Sequence, residues 1–370
     1  MKTLEICGFL LLATAAMSQA NPPKTPGDSM AGVAAQSTLS VPNKAIEFKN
    51  ADSPAGLSLS PVTMAPDHCT ADGSLFLDMV DPKDMQKQTV VSVRGDKSQG
   101  YAPENIQGLN DVMVMDFFPS DSVVGFLVRA SAEKPGERGS GKSPAGIDWN
   151  SYHNYVAEFN RDGSFRKSVE LQTTYNVYHF AILPSGEFVA SGYDKAGSIG
   201  RLILMDDSGK ALREFDLPAF RASADGGAPY GSADALTNKS RLLGYVMLTA
   251  YGQNVLVWHA RSTDPVLEIG AGGHVREVPL QIPPGMELVG LISATDRWVA
   301  FFRSRSAAEN TPLNRADFAY YEVNPRDGSL ATKLNEAGDG RPHSITCETD
   351  GNYLAYHRDK DGHLIVLRAD

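Results

Sequence analysis

The chain has 370 residues, a formal net charge of -10 at pH 7 and three cysteines. A net acidic chain with mixed local charges argues against binding to nucleic acid or to anionic membrane surfaces. Only Cys69 and Cys347 lie beyond the N-terminal segment, too few for a scaffold held together by disulfides. We therefore expect a self-supporting core, and this length favours a repetitive architecture.

The N-terminal segment has the features of a secretory signal peptide. Lys2 supplies a positive start, and the apolar stretch from Ile6 to Met17 is too short to span a bilayer. Small residues at Ser18 and Ala20 predict cleavage after Ala20, so residues 1–20 are the expected signal. Residues 21–40 are rich in Pro, Gly, Ala and Ser and are predicted to be a disordered leader. The sequence therefore predicts an exported protein, periplasmic or extracellular, without membrane insertion.

From about residue 41 the chain consists of short apolar runs with two-residue alternation, separated by Gly and Asp turns. A unit of apolar run, tight turn and second apolar run occurs six times. Its turn residues are 73, 122, 186, 253, 296 and 351. A second hairpin follows each unit, as at Arg201–Leu217 around Ser208-Gly209. Four antiparallel strands per unit are typical of a β-propeller blade.

The sixth copy is one strand short. After Tyr353–His357 only the strand His363–Arg368 follows in the sequence. Lys44–Lys49 has the pattern of an outer strand, and we expect it to complete the sixth blade and remove an exposed edge. The predicted fold is all-β: a six-bladed β-propeller of four-stranded antiparallel blades over residues 41–370, with the last blade completed by an N-terminal strand.

This order of inner strand, Asp-Gly turn, strand, loop, strand, Asp-Gly turn and strand resembles the NHL-type, six-bladed TolB-like propellers. The resemblance covers roughly residues 41–370. It implies an architecture but no single activity, because such propellers host binding, scaffolding and several enzyme chemistries. A β-sandwich or a seven-bladed ring is the structural alternative.

Two short motifs match known ligand loops only in part. Residues 136–143 fit the phosphate-loop pattern GxxxxGK[ST], but Pro144 prevents the helix that this chemistry needs, and we interpret the segment as a flexible loop. Asp359–Gly362 resembles the start of a calcium loop but lacks the later ligands, which favours a plain turn. No cofactor is predicted from either motif.

His179 and His343 align at the start of the inner strand in their repeats. Pro342–Ser344 is similar to the same segment of peptidyl-α-hydroxyglycine lyase propellers, a resemblance that implies zinc-binding histidines. The aligned positions of the other blades are apolar, His68 is off register, and two histidines fall short of the usual three or four zinc ligands. A divalent metal in the axial channel is therefore the alternative to two polar residues that line a wet channel.

Cys69 and Cys347 occupy equivalent positions in blades 1 and 6, which become neighbours once the ring closes. Export favours a disulfide between them. Sheets pack about 10 Å apart, and closer near the axis, whereas a disulfide needs Cα atoms within roughly 7 Å. The sequence leaves both a disulfide and a pair of buried thiols open.

Loop lengths predict which end of the propeller binds a ligand. The tight turns are first or third turns of a blade, whereas residues 134–151, 305–316 and 219–239 are second turns or a crossover, which lie at the opposite end. We name these ends the tight-turn face and the long-loop face. Because binding residues concentrate in long loops, we expect the site at the channel mouth on the long-loop face. Its candidate residues are His179, His343, Trp149, Tyr152, Arg221 and Tyr230.

Two classes of function remain open from the sequence. The leading hypothesis is an exported, monomeric, non-catalytic binding or scaffolding propeller for a protein, peptide or carbohydrate ligand. The alternative is a hydrolase or lyase of NHL-like type at the same channel mouth, which carboxylates within reach of the two histidines would favour. Trp149, Tyr152, His153 and Tyr155 form either a ligand platform or ordinary packing between blades, and we favour packing.

Overall fold

The computed structural model describes residues 40–51, 60–61, 68–81, 84–104, 106–132, 152–193, 200–215, 246–260, 263–305, 318–337, 343, 345–361 and 363–369. The predicted signal peptide and nearly all of the predicted leader lie outside these residues. In the described ranges the structure is all β apart from one short 3-10 turn, Ala271–Gly273. No helix of the described part is long and apolar enough to cross a membrane.

Six blades contain the strands in chain order from the central channel outward. Two short strands precede them: β1 (Asn43–Glu47) and β2 (Lys49–Asn50). Blade 1 contains β3 (Ser60–Pro61), β4 (His68–Cys69), β5 (Leu75–Asp81), β6 (Asp84–Arg94) and β7 (Lys97–Tyr101). Blade 2 contains β8 (Leu109–Pro119), β9 (Val123–Ala132), β10 (Tyr152–Asn160) and β11 (Phe165–Glu170). Blade 3 contains β12 (Asn176–Ile182), β13 (Phe188–Tyr193), β14 (Gly200–Met205) and β15 (Ala211–Phe215).

The second half of the ring repeats this order. Blade 4 contains β16 (Val246–Tyr251), β17 (Asn254–His259), β18 (Val266–Ile269) and β19 (Val275–Val278). Blade 5 contains β20 (Met286–Ser293), β21 (Trp298–Ser304), β22 (Phe318–Val323) and β23 (Leu330–Ala337). Blade 6 contains β24 (Ile345–Thr349), β25 (Asn352–Arg358) and β26 (Leu364–Ala369). In blade 1 both β3 and β4 pair with β5, so together they form an interrupted inner strand.

The inner strands form a closed ring. Each inner strand contacts the next one around the ring, in the order β4, β8, β12, β16, β20 and β24, and β24 contacts β4. The predicted six-bladed propeller is therefore confirmed. Its turns contain the expected positive-φ glycines, such as Gly328 at φ 71°. A Cβ at Gly328 would lie 2.0 Å from the Pro279 carbonyl oxygen of the neighbouring blade, so glycine is required for packing as well as for the turn.

An N-terminal strand completes the last blade, as predicted. However, most of the predicted strand Lys44–Lys49 joins blade 5, and only its last residue belongs to the strand that completes blade 6. Only β2 pairs with β26, antiparallel, as the fourth strand of blade 6. The preceding β1 pairs in parallel with β23 and adds a fifth strand to blade 5. Ile46 of β1 is 1% exposed and belongs to a core cluster that contains Tyr320 and Tyr353 of blades 5 and 6. Burial of Ile46 between two blades explains why the segment contacts both.

Aromatic side chains fill the space between adjacent blades. Between blades 1 and 2, the rings of Phe76, Tyr101, Phe126 and Phe159 contact one another at centroid distances of 5.3 to 6.5 Å. All four are buried. Each buried aromatic side chain stabilises the fold by about 1.5–3 kcal/mol, so these layers hold the blades together.

Hydrogen bonds also join the blades at the tight-turn face. Arg161, in the turn between β10 and β11, donates to Asp72 Oδ2 at 3.2 Å and to Ser74 Oγ at 2.9 Å in blade 1. The buried carboxylate of Glu348 in blade 6 accepts the Thr295 backbone N–H of blade 5 at 2.9 Å. Charge-assisted bonds of this kind are stronger than neutral ones. Contacts of this kind fix neighbouring blades to one another at the tight-turn face.

A disulfide joins the first blade to the last. Cys69 in β4 and Cys347 in β24 are bonded, with their Cα atoms 5.7 Å apart. Both cysteines pair across their hairpins with a leucine, Leu75 and Leu354, which agrees with their equivalent positions in the repeat. The general spacing of packed sheets does not prevent the bond, because the inner strands converge on the axis.

Candidate functional site

Strand direction assigns the described residues to the two ends of the propeller. Each inner strand starts at the long-loop face, the second strand returns to it, and the third strand starts there again. Residues 133–151 connect β9 to β10, residues 306–317 lie between β21 and β22, and residues 216–245 connect blades 3 and 4. The long segments therefore have the predicted topological positions, and Trp149, Arg221 and Tyr230 lie in them, outside the described residues.

Tyr152 is the first residue of β10 and lies at the long-loop face. Its hydroxyl donates to Asp111 Oδ2 at 3.2 Å, near the start of β8. Burial and the neighbouring Asp111 carboxylate raise the pKa of the Tyr152 phenol. Beside it, the exposed His153 contacts Glu170 with 2.7 Å between Nδ1 and Oε1. Tyr155 is buried in the core layer between blades 1 and 2, which is ordinary packing.

His179 contacts a buried carboxylate from the preceding blade. Its Nδ1 lies 3.3 Å from Asp116 Oδ2, and the same oxygen accepts the Phe180 backbone N–H at 3.3 Å. Asp116 is 5% exposed, and its Oδ1 has no hydrogen-bond partner among the described residues. The pair connects the inner strands of blades 2 and 3 and places an imidazole beside a carboxylate near the axis.

His68 belongs to the same region, although its register in the repeats argued against it. It lies in β4, is 8% exposed, and its ring contacts Phe117 and Phe118 at 5.0 and 5.3 Å between centroids. Burial lowers the pKa of His68 to about 4; Asp116 opposes this change and His179 adds to it. His68 is therefore a neutral imidazole at neutral pH, coupled electrostatically to both residues.

His343 lies in a different environment. Its Nδ1 is 3.3 Å from Glu336 Oε2 of blade 5, and its ring contacts Phe48 and His357 at 5.3 and 6.1 Å between centroids. The structure therefore groups His179 with Asp116 and His68, and groups His343 with Glu336 between blades 5 and 6. The two aligned histidines do not share a carboxylate or form a common set of metal ligands.

The described residues contain one group of three potential metal ligands within 4.8 Å, and it lies outside the channel. It consists of Asp359, Asp361 and His363, in the turn between β25 and β26. Asp359 Oδ1 accepts the backbone N–H groups of Asp361 at 2.9 Å and His363 at 2.8 Å. These turn contacts account for the arrangement without an ion.

A cavity of about 180 Å³ occupies the channel beside His68. The remaining walls come from Cys69 of blade 1, from Trp258 of β17 and from inner-strand residues of blades 4, 5 and 6, among them Met247, Leu291 and Ile345. The described channel wall is therefore asymmetric. His68, Asp116 and His179 lie on the inner strands of blades 1 to 3, whereas the cavity lining on blades 4 to 6 is mainly apolar.

Solved structures similar to this chain include several propellers, all at low sequence identity. Its fold is similar to virginiamycin B lyase from Staphylococcus aureus, with 13% identity, 87% coverage of each chain and a TM-score of 0.39. It is similar to the Pan2 WD40 domain from Neurospora crassa, with 11% identity over 88% of this chain and 94% of that one, at a TM-score of 0.41. The propeller domain of the Trilobed protease from Pyrococcus furiosus has 9% identity, 87% and 82% coverage, and a TM-score of 0.38.

These similarities concern the fold alone. No protein-family model matches the chain, and a search of curated proteins finds no match. The ring of six blades defines the chain as a six-bladed β-propeller. Its activity has to be argued from its own residues.

Proposed function

We propose that the chain is an exported, non-catalytic binding propeller whose ligand site is the channel mouth on the long-loop face. The observation that carries this proposal is the difference between the two faces. The described tight-turn face contains contacts between blades, such as those of Arg161 and Glu348. Among the connections between described strands, the three longest start and end at strand termini on the opposite face, where Tyr152 and the starts of the inner strands also lie.

The chemistry of this mouth fits a polar ligand. Tyr152 supplies an aromatic ring with a hydroxyl group, and His179 an imidazole whose side chain is 14% exposed. Aromatic rings with polar groups are suited to peptides and to sugars, because they combine apolar contact with hydrogen bonding. Trp149, Arg221, Tyr230 and His343 stay predicted members of the site.

A screen of immobilised glycans and peptides tests this location. We expect the double variant Tyr152→Ala, His179→Ala to bind any ligand found for the wild type at least tenfold more weakly, which corresponds to about 1.4 kcal/mol. The matched control is Lys97→Ala, Lys210→Ala, which removes two exposed side chains from the tight-turn face and should bind normally. Equal affinity of the mouth variant and the wild type would contradict the proposal.

A specific observation also favours the second candidate, a hydrolase or lyase. The Asp116 carboxylate contacts His179 Nδ1 at 3.3 Å, and a carboxylate in this position fixes the tautomer and orientation of an imidazole that acts as a base. The alternative is that Asp116 has only a structural role, because its carboxylate also accepts the Phe180 backbone N–H.

Asp116→Asn separates catalysis from structure, since asparagine can still accept that N–H. If the pair is catalytic, kcat on a responsive chromogenic ester or lactone should fall at least tenfold while the melting temperature changes little. Elemental analysis of the purified protein, carried out beside the assay, tests for a bound divalent metal. An Asp116→Asn variant with wild-type kcat, or a wild type that turns over no substrate, would contradict the enzyme hypothesis and favour the binding function.

A further inference from the structure

The His68 side chain is buried at the junction between blades 1 and 2. It belongs to β4, a strand of two residues that pairs with β5, and its ring contacts those of Phe117 and Phe118 in β8. Both phenylalanines are 1% exposed. The Nε2 atom of His68 is inaccessible to solvent and has no hydrogen-bond partner among the residues that the structure describes. This position disfavours a protonated imidazole, because its N–H group at Nε2 would have no acceptor there.

Two charged neighbours also act on His68. The Asp116 carboxylate in β8 favours the protonated ring and His179 in β12 opposes it, but burial is the largest influence and lowers the pKa of His68 to about 4. An imidazole in water has a pKa of about 6.5, so acid favours any position in which the ring is hydrated. β5 and β24 pack against β4 as well, and their carboxylic acids are Asp78, Asp81 and Glu348.

The central cavity offers a second position for the ring. His68 is one of the residues that line this cavity of about 180 Å³. A protein cavity of roughly 150 Å³ holds benzene, so an imidazole ring fits here. Trp258, Ser293 and Thr346 also line it. Because indole rings attract cations and hydroxyl oxygens accept hydrogen bonds from N–H groups, the cavity suits a protonated imidazole better than the position beside the two phenylalanines.

The backbone that follows His68 is held in place. Cys69 is bonded to Cys347 in blade 6, and the Thr70 backbone N–H donates to the Ser74 carbonyl at 3.1 Å. Rotation about the side-chain bonds of His68 therefore moves its ring while β4 stays in the sheet.

We infer that His68 is an acid-driven switch of the channel: once protonated, its ring leaves Phe117 and Phe118 and turns into the central cavity. There the ring fills part of the cavity and gives the channel a positive charge. The switch lies within the channel and not at its mouth, so the inference goes beyond the proposed function and stands without it.

Tryptophan fluorescence as a function of pH tests this inference, because an imidazolium group close to an indole ring quenches its emission. The full-length wild type is titrated from about pH 7 to about pH 4, a range that contains the ordinary and the lowered pKa of His68. Emission should fall over this range, and this fall should be absent from His68→Phe and from Trp258→Phe. The matched control is His363→Leu, which removes an exposed histidine outside the cavity and should behave as the wild type does.

Constant emission of the wild type, or an equal fall in the wild type and His68→Phe, would overturn the inference. If His68→Phe does not fold, nuclear magnetic resonance of the wild type, labelled in histidine and phenylalanine, provides the second test. The ring protons of His68 should show contacts with those of Phe117 and Phe118 at neutral pH and should lose them when the His68 signal shows protonation. Contacts that persist in the protonated state would also overturn the inference.

Discussion

Removal of the disulfide between Cys69 and Cys347 is expected to lower the free energy of unfolding by about 3–5 kcal/mol. The bond joins residues 278 positions apart, so it restricts nearly the whole unfolded chain. It also joins the inner strands of the first and last blades, where the ring closes. The variant Cys69→Ala, Cys347→Ala is compared with the wild type by urea unfolding, followed by tryptophan fluorescence.

A reducing agent separates the bond from the packing of the two side chains. Reductant should shift the unfolding midpoint of the wild type towards that of the double variant and should leave the double variant unchanged. The two single variants should each be about as unstable as the double variant, because either one removes the same bond. Equal midpoints for oxidised and reduced wild type would show that the ring closes without help from the disulfide.

Deletion of residues 21–50 is expected to destabilise the whole propeller, whereas deletion of residues 21–40 should change its melting temperature very little. The longer deletion removes the pairing of β1 with β23 and of β2 with β26, and it exposes the edges of blades 5 and 6. It also removes Ile46, whose side chain is 1% exposed in the cluster between these blades. Thermal unfolding of both truncated proteins provides the measurement.

Point variants give the same comparison without a change in length. Ile46→Ala should cost about 2–5 kcal/mol, because a buried branched side chain is lost. Glu47→Ala is the matched control in the same strand, and its exposed side chain predicts a change within about 0.5 kcal/mol. Identical melting temperatures of the two truncated proteins would rule out closure by this segment.

The sequence predicted the blades well because its signals for them are local. Two-residue alternation, a tight turn and a second hairpin are each complete within about twenty residues, and the ring follows from their repetition. Lys44–Lys49 likewise carried a recognisable strand pattern. The pattern did not specify that β1 joins blade 5 and β2 joins blade 6. This division depends on the burial of Ile46 between the two blades, which the local sequence does not show.

The candidate site was less predictable because its residues come from different blades. Asp116 carried one signal, a lone carboxylate inside the apolar run Val112–Phe118, which indicates a buried partner. The sequence around His68 and His179 gives no signal that either histidine lies beside Asp116. Alignment of the repeats paired His179 with His343, but their environments depend on the neighbouring blades, which differ.

The sequence by itself determined the all-β class, the number of blades, the turn positions and the end of the ring that receives the longest connections. Each of these depends on contacts between residues close together in the chain. Only the tertiary structure decided that Asp116 contacts His179 in the region of His68, that Cys69 and Cys347 have Cα atoms 5.7 Å apart, and that a cavity remains beside His68. The physical reason is that the inner strands converge on one axis, and their spacing there is set by the packing of all six blades together.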